Sequence, residues 1–464
     1  MNFLIQNGGE MLSKKSYQQT GNKLLTILVF TLTLSVMNAT IFNIVLPEIA
    51  LDFHLSFTQV SWITTAYMLI YAIGTVVYGK LADIYKLKNL MTFGLVFLAF
   101  GSLIGLIAEV YWMVLSARIL QALGAAVIPA AAGIIPVRYF TQENRGRAFG
   151  MVAVGLALGR ILSPITTSLI VLIVDWRWMF LLPLLTLMLV PFFRKYLDDE
   201  TNHKGNIDWI GAGLLGGTTA LLLLSVTNGN LYLVGCIVLL VLFVVRIRSV
   251  SHPFIKAQLF RNKHYSIRLI ITFLISGIGF SFIFLTPLLL SEMNSMDSGL
   301  IGIVMAPAAI MAALLGRLGG KLADSKGNTF LFYLSSFLLV IGFVLFSSFA
   351  GAPAIFVALF LIFGDVGITF IIISLSNSVS RTLPKNQTGV GMGIYQMLNF
   401  IAGSVFGAVY GKVVDTGSNI KWNPFNNNVG TPIYSNIYLV LGLLTVSIVL
   451  FYYFQFGRKN VSKV

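Results

Sequence analysis

The chain has 464 residues, of which 57% are hydrophobic and only 10% charged, with a formal net charge of +15. Soluble domains carry about 25% charged residues, so a mean hydropathy of +0.88 excludes a soluble enzyme, which would expose apolar surface throughout. Apolar runs long enough to cross a bilayer recur from end to end, and the excess of Lys and Arg belongs to loops at a membrane face rather than to nucleic-acid binding.

Residues 1–23 are polar and lack the pattern of a cleavable signal peptide. The Asn-Gly-Gly-Glu stretch before Met11 fits a purine-rich, ribosome-binding-like sequence, which makes Met11 an alternative start. Fourteen transmembrane helices are then predicted, at 24–46, 58–78, 90–108, 112–136, 148–173, 178–193, 209–227, 231–245, 267–290, 299–316, 329–349, 354–376, 388–410 and 434–456. The sixth and eighth are the shortest. With the N-terminus inside, most of the 31 Lys and Arg fall in cytoplasmic segments. Arg177, Lys412 and Lys421 fall outside, and Arg118 and Arg160 lie within helices. That asymmetry predicts an even number of spans and two cytoplasmic termini. The longest outside segment, 411–433, is rich in Asn, Gly and Pro and reads as an ordinary surface loop.

Gly79-Lys80-Leu81-Ala82-Asp83 follows the second predicted helix, and Gly320-Lys321-Leu322-Ala323-Asp324 follows the tenth, both in expected cytoplasmic loops. The identity predicts two related helical halves with a substrate path between them, a known transporter plan. The expected organisation is a cytoplasmic segment at 1–23, a six-helix half at 24–196 and an inserted helix pair with linkers at 197–265. A second half at 266–456 and a cytoplasmic tail at 457–464 complete it.

Two charges stand deep in apolar helices, Arg160 and Asp365. At about 1.5 Å per residue, Arg160 lies about 18 Å from the inner end of its helix and Asp365 about 16 Å from the outer end of its own. A charge near the bilayer centre costs at least about 2.5 kcal/mol, so each needs a partner, a wet cavity or a role. One per half, they are expected to face each other across a central cavity. An ion pair there would hold Asp365 ionised, and a substrate anion beside Arg160 would release it to bind a proton; the alternative is a static salt bridge. Arg118, about 9 Å below the outer surface, is expected to pair with Asn38, and Gln121 lies one turn below it. The alternative is a snorkelling cation. Tyr67, Tyr71, Tyr395, Gln396 and Asn399 are further candidates for the substrate path. Gly155, Gly159 and Ser163, and likewise Gly403, Gly407 and Gly411, recur every fourth residue and predict close helix packing that can slide. One cysteine, Cys236, excludes a disulfide framework, and the four histidines lack ligand spacing, so neither cofactor nor metal is expected.

Several stretches, in order, resemble the fourteen-helix drug–proton antiporters of the major facilitator superfamily, among them the tetracycline and multidrug exporters of Gram-positive bacteria. They are Asn38 to Pro47, Gly79 to Lys88, Ala117-Arg118 to Ala126 and Asp175-Trp176-Arg177. Asp208-Trp209-Ile210-Gly211 and Pro253-Phe254 with Leu259-Phe260-Arg261-Asn262 flank the inserted pair. The resemblance implies the major facilitator fold and a gating role for Gly79, Asp83, Gly320 and Asp324. It also implies a part for Arg118 in proton coupling, beside Asp365 and Arg160. The fifth-helix motif departs, with Arg160 where the tetracycline exporters carry Glu, Ser163 and Thr167 for glycines, and Phe406 for another acid. These departures argue against a tetracycline–metal cation. The expected function is proton-coupled efflux of amphipathic drugs or metabolites, anionic or zwitterionic, with fluoroquinolone-like drugs as examples. Arg160, Asn38 and Gln121 would contact the substrate. The partners are protons, small molecules and the bilayer; a monomer in the bacterial plasma membrane is expected. The alternatives are a dedicated carrier of one metabolite and a non-transporting sensor or structural partner. An enzyme is not expected, because no catalytic pair shares a helix.

Overall fold

A computed structural model describes residues 2–197, 207–228, 230–251, 253–294, 296, 298–417, 420–426 and 432–457. The expected tail beyond residue 457, and most of the linker before the inserted pair, lie outside these. The described chain is helical: α1 (Asn2–Thr40), α2 (Phe42–Asp52), α3 (Phe57–Ala82), α4 (Leu87–Leu106), α5 (Tyr111–Ala125), α6 (Val127–Tyr139), α7 (Arg145–Ile173), a 3₁₀ helix (Trp176–Leu189), α8 (Val190–Tyr196), α9 (Trp209–Asn228) and α10 (Asn230–Ser249). There follow α11 (Gln258–Arg261), α12 (Lys263–Asn294), α13 (Ser298–Lys326), α14 (Asn328–Ser348), α15 (Ala354–Ser380), α16 (Thr388–Thr416) and α17 (Pro432–Tyr452).

Thirteen helices among the described residues are long and apolar enough to cross a membrane, and a shorter apolar stretch, Trp209–Ser225, stands at the seventh predicted segment. The molecule is a multi-pass membrane protein. Some boundaries differ from those expected. The first span is Gln19–Thr40, and after a single-residue break at Ile41 the chain continues as α2. Ile41 keeps helical dihedrals, and its N–H still donates to the Met37 carbonyl at 2.8 Å. The fourth span combines α5 and α6. The sixth begins as 3₁₀ helix, with Pro183 inside it and Thr186 Oγ1 donating back to the Pro183 carbonyl at 2.6 Å.

Capping explains local starts. Ser56 and Gln59 form a reciprocal box at the head of α3, with Ser56 Oγ accepting from Gln59 N–H at 3.2 Å and Gln59 Oε1 from Ser56 N–H at 2.9 Å. The two copies of Gly-Lys-Leu-Ala-Asp end differently, and neither is a loop throughout. In the first, α3 stops at Ala82 and Asp83 caps it. In the second, α13 runs on through Asp324 to Lys326. It stops where Gly327 adopts φ +89°, the left-handed geometry that glycine accepts at no steric cost.

The chain divides into two compact units, Met1–Asn206 with Leu383–Gln396, and Ile207–Thr382 with Met397–Val464. In the first, α7 lies along α1. Methyl groups on Gly155 or Gly159 would meet the Val29 and Thr33 carbonyl oxygens at 3.1 and 2.8 Å. Thr40 Oγ1 donates to Ser163 Oγ at 2.8 Å across the same seam. One end of this unit is closed by the motif at 175–177. Trp176, wholly buried, donates from Nε1 to Asp52 at 2.9 Å, and Arg177 bridges Asp52 and Asp175 at 3.4 and 3.0 Å.

In the second unit, Gly403 and Gly407 instead face the Phe280 ring of α12. Phe406 fills the space beside Gly277, whose carbonyl accepts from Tyr410 Oη at 2.9 Å. The two motifs flanking the inserted pair meet at Asp208, which accepts from the N–H groups of Gly211 and Phe254 at 3.0 and 3.4 Å and from Arg246 at 3.0 Å. The described part of 411–433 is largely exposed beyond α16, as expected of a surface loop, but two asparagines tie it down. Asn423 is buried and donates to Ser347 Oγ at 2.8 Å, while Asn436 Nδ2 donates to the Ile420 carbonyl at 2.7 Å. Asn436 thus takes up a loop carbonyl and Asn423 anchors the loop to Ser347.

Candidate functional site

In the first unit, Arg118 of α5 is fully buried. Its Nη1 donates to Gln121 Oε1 at 2.8 Å and to the carbonyl and Oδ1 of Asn38, each at 3.2 Å. Its Nε reaches the Ile63 carbonyl at 3.4 Å. The guanidinium lies 3.9 Å from the Tyr67 ring centroid and 4.3 Å from that of Phe42, where each aromatic face attracts a cation. Arg118 is therefore caged rather than snorkelling. No carboxylate is among these partners, and Nη2 has no hydrogen-bond partner. A buried donor left unmatched costs about 1–3 kcal/mol.

The network extends both ways. Gln121 Nε2 donates to Ser102 Oγ at 2.8 Å; Gly101 makes room, since a methyl there would stand 2.7 Å from the Gln121 backbone nitrogen. Asn38 Nδ2 donates to Tyr67 Oη at 3.3 Å. Tyr67 stacks on Tyr71 with centroids 5.6 Å apart, and Tyr71 Oη shares a hydrogen bond with Ser35 Oγ at 3.1 Å. Five predicted residues, Asn38, Tyr67, Tyr71, Arg118 and Gln121, thus form one buried polar group. Sequence reasoning missed Ser35, Phe42 and Ser102. The signal for Ser102 was its place after a glycine in an otherwise apolar helix.

Of the remaining candidates, Arg160, Tyr395 and Gln396 belong to the first unit and Asp365 and Asn399 to the second. Arg160 is half-buried, about 22 Å along α7 from its start and about 20 Å from its end, and within its own unit makes no hydrogen bond or ion pair with a described residue. Asp365, also half-buried, is about 16 Å along α15 in the second unit. It is flanked by Gly364, packed on Phe282, and Gly367, packed on Leu339. Tyr395 is buried and Gln396 half-buried on the part of α16 that belongs to the first unit. Asn399 belongs to the second, where its Oδ1 accepts from Ser276 Oγ at 2.6 Å.

At one end of the first unit α3 crosses the start of α16 at Gly79 and Gly389, each of which would clash with the other's carbonyl if it carried a methyl. Asp83 accepts from the N–H groups of Gly389 at 2.7 Å and Val390 at 3.0 Å, satisfying orphan donors where the helix dipole favours negative charge. Burial nonetheless raises its carboxyl to about 6, against the pull of the two amides, Arg138 and Lys80. In the second copy of the motif, Gly320 is buried and Asp324 half-buried within α13.

The profile of the Major Facilitator Superfamily matches residues 28–407. The riboflavin transporter RibZ of Clostridioides difficile is 25% identical over 398 residues, which cover 82% of this chain and 86% of that protein. Multidrug resistance protein 3 of Bacillus subtilis is 24% identical over 429 residues, covering 88% and 83%. Among solved structures, the human organic anion transporter MFSD10 matches with a TM-score of 0.69 at 14% identity, covering 92% of this chain and 99% of that one. The proton:xylose symporter XylE matches with a TM-score of 0.64 at 13% identity, covering 96% of each chain; both likenesses speak to the fold. With helices throughout, spans of bilayer length and a family profile across most of its sequence, the chain belongs to the major facilitator superfamily of membrane transporters, which are not enzymes.

Proposed function

We propose that this transporter is a proton-coupled exporter of amphipathic drugs or metabolites, anionic or zwitterionic, working by alternating access in the bacterial plasma membrane with both termini cytoplasmic. The observation that carries the reading is the placement of ionisable groups in mid-span: Arg160 in α7 of the first unit, and Asp365 in α15 of the second. Intramembrane charges mark substrate and proton paths. In this reading Asp365 carries the proton. Arg160 competes for it or for a substrate anion, so that protonation and substrate occupancy become alternative states of one site. The caged Arg118 supports it with Asn38 and Gln121, Tyr67, Tyr71, Tyr395, Gln396 and Asn399 line the path, and Asp83 and Asp324 with Gly79 and Gly320 bias gating. The fourteen-helix plan, with the pair α9 and α10 inserted between six-helix halves, belongs to the same proposal.

The test is proton flux in proteoliposomes against anionic, zwitterionic and cationic drugs. Asp365→Asn should abolish proton-driven transport yet allow substrate exchange, and Arg160→Ala should weaken anionic substrates more than cationic ones. Full coupling in Asp365→Asn, or flux with monocations alone, would overturn the assignment. A second reading, a dedicated carrier of one metabolite, is favoured by the similarity to a riboflavin transporter. Saturable riboflavin uptake or export with no response to the drug panel would select it.

A further inference from the structure

The second unit carries a cleft of about 660 Å³, within the range of clefts that hold organic ligands. It is built where α12 begins, α13 gives way to α14, and α15 and α17 end, so every wall stands at a span terminus. At about 1.5 Å per residue, Arg268 is only about 8 Å from the start of α12. Its side chains are basic and polar: Arg268, Lys326, Arg381 and His264 line it, and no Asp or Glu does among the described residues.

Neutral groups on the walls are largely engaged with each other, and Arg381 Nε donates to Asn377 Oδ1 at 3.4 Å, so Arg268 and Lys326 are the first recognition elements. Asn262 Nδ2 donates to the Thr382 carbonyl at 3.2 Å, and Asn328 Oδ1 accepts from Asn377 at 2.9 Å. Arg268 is held over the Phe456 ring at 4.6 Å, with Nη1 on the His264 carbonyl at 3.3 Å, while its buried Nε has no hydrogen-bond partner. The Lys326 ammonium rests 4.8 Å from the Phe330 centroid. The 21-residue α14 also opens onto the cleft, at Asn328 and Thr329, with no side chain capping its first amides. Uncapped amides, an arginine pair and a lysine around one hollow satisfy the chemistry of a tetrahedral oxyanion.

We propose that this cleft is a phosphate-binding site, taking the phosphodiester or phosphomonoester head of an anionic lipid or of a soluble phosphate ester. Its level at the span ends is that of lipid head groups, which basic pockets between transmembrane helices bind. Arg118, Arg160 and Asp365 are not among its lining residues, and the proposal stands whether or not the transport reading does.

The test uses the full-length protein in detergent. Saturable binding and thermal stabilisation are measured with short-chain phosphatidylglycerol, short-chain phosphatidylcholine, glycerol 3-phosphate and inorganic phosphate. At least one phosphate probe should bind, with phosphatidylglycerol preferred over phosphatidylcholine if the source is lipid, and glycerol 3-phosphate bound without phosphatidylglycerol if it is soluble. Arg268→Gln and Arg381→Gln should each weaken that probe about tenfold, and Lys195→Gln in the other unit should not. Arg381 and Lys326 are exposed, so Arg381→Gln and Lys326→Gln keep the test open if Arg268→Gln misfolds. Binding unchanged in these variants, or no saturable binding of any probe, overturns the proposal.

Discussion

Asp83 in the first unit and Asp208 in the second do the same local job and end in opposite electrostatic states. Each accepts two backbone N–H groups, Gly389 and Val390 for Asp83, Gly211 and Phe254 for Asp208. For Asp208 burial pushes the carboxyl up, but the Gly211 amide and then the Arg246 guanidinium outweigh it and hold the group below the usual range. For Asp83 burial wins, and the group sits near 6. Two things differ: desolvation weighs far more on Asp83, and Arg246 touches Asp208 at 3.0 Å, while Arg138 near Asp83 donates to the Ala82 carbonyl at 2.6 Å. At Asp83 two backbone donors do not offset desolvation; at Asp208 the Gly211 amide and the touching cation together do. One carboxylate is a fixed joint, and the other is set close to a change of charge.

The largest effect that would break this comparison is steric. Gly389→Ala puts a methyl against the Gly79 carbonyl, backbone that cannot swing aside, and 2.7 Å from Asp83 Oδ1. We expect a loss of about 3 kcal/mol, seen as a lower melting temperature, and loss of transport. A tolerated methyl would mean that the crossing is looser than it stands. Next is Asp208→Ala, which strips the cap from α9 and the partner from Arg246. It should cost about 2 kcal/mol, with Asp208→Asn recovering about half by keeping an acceptor for Gly211 N–H.

The sharper test is pH. The Asp83 carboxyl is raised, so between about pH 4 and about 6 the folded state holds a proton that the unfolded chain has lost. Its contribution is present below that window and is lost as pH rises through 6. The stability of the wild type relative to Asp83→Asn should therefore fall between pH 4 and 7. Asp208, depressed, contributes above the ordinary carboxylate value and loses it as pH falls, so wild type relative to Asp208→Asn should decline on acidification instead. Parallel slopes would dissolve the distinction. The small-residue faces include the smallest expected cost. Gly407→Ala meets the edge of Phe280 at 3.0 Å, a ring that can turn, whereas Gly159→Ala meets the Thr33 carbonyl at 2.8 Å. The first should cost less than about 1 kcal/mol and the second about 2 kcal/mol or more, read from thermal unfolding in detergent.

What was legible in the sequence was what each stretch determines by itself. Span length and hydropathy are local, so thirteen spans coincide with predicted ones. The Arg118–Asn38 hydrogen bond was legible because two polar groups at similar depth in an apolar medium seek each other. Close backbone crossings between distant segments were not. Nothing local to Gly79 announces a carbonyl more than 300 residues away. The five-residue repeat suggested matching loops, but Gly327 placed three residues after Asp324 lets α13 run on, whereas the first copy has no glycine at that place. The loop at 420–426 is mostly exposed, as its composition suggests, but the bonds of Asn423 and Asn436 that pin it join segments apart in sequence and are not announced locally. The cleft in the second unit escaped notice because its cations come from three span ends.

The 3₁₀ segment at 176–189 has a consequence for bilayer thickness. A 3₁₀ helix rises about 2.0 Å per residue against about 1.5 Å in an α-helix. Those 14 residues therefore reach about 28 Å instead of about 21 Å, and α8 adds about 10 Å more. The sixth span, short by residue count, thus exceeds a hydrocarbon core of about 30 Å. Rewound as an α-helix throughout, it would fall about 7 Å shorter and lose most of its margin against the lipid.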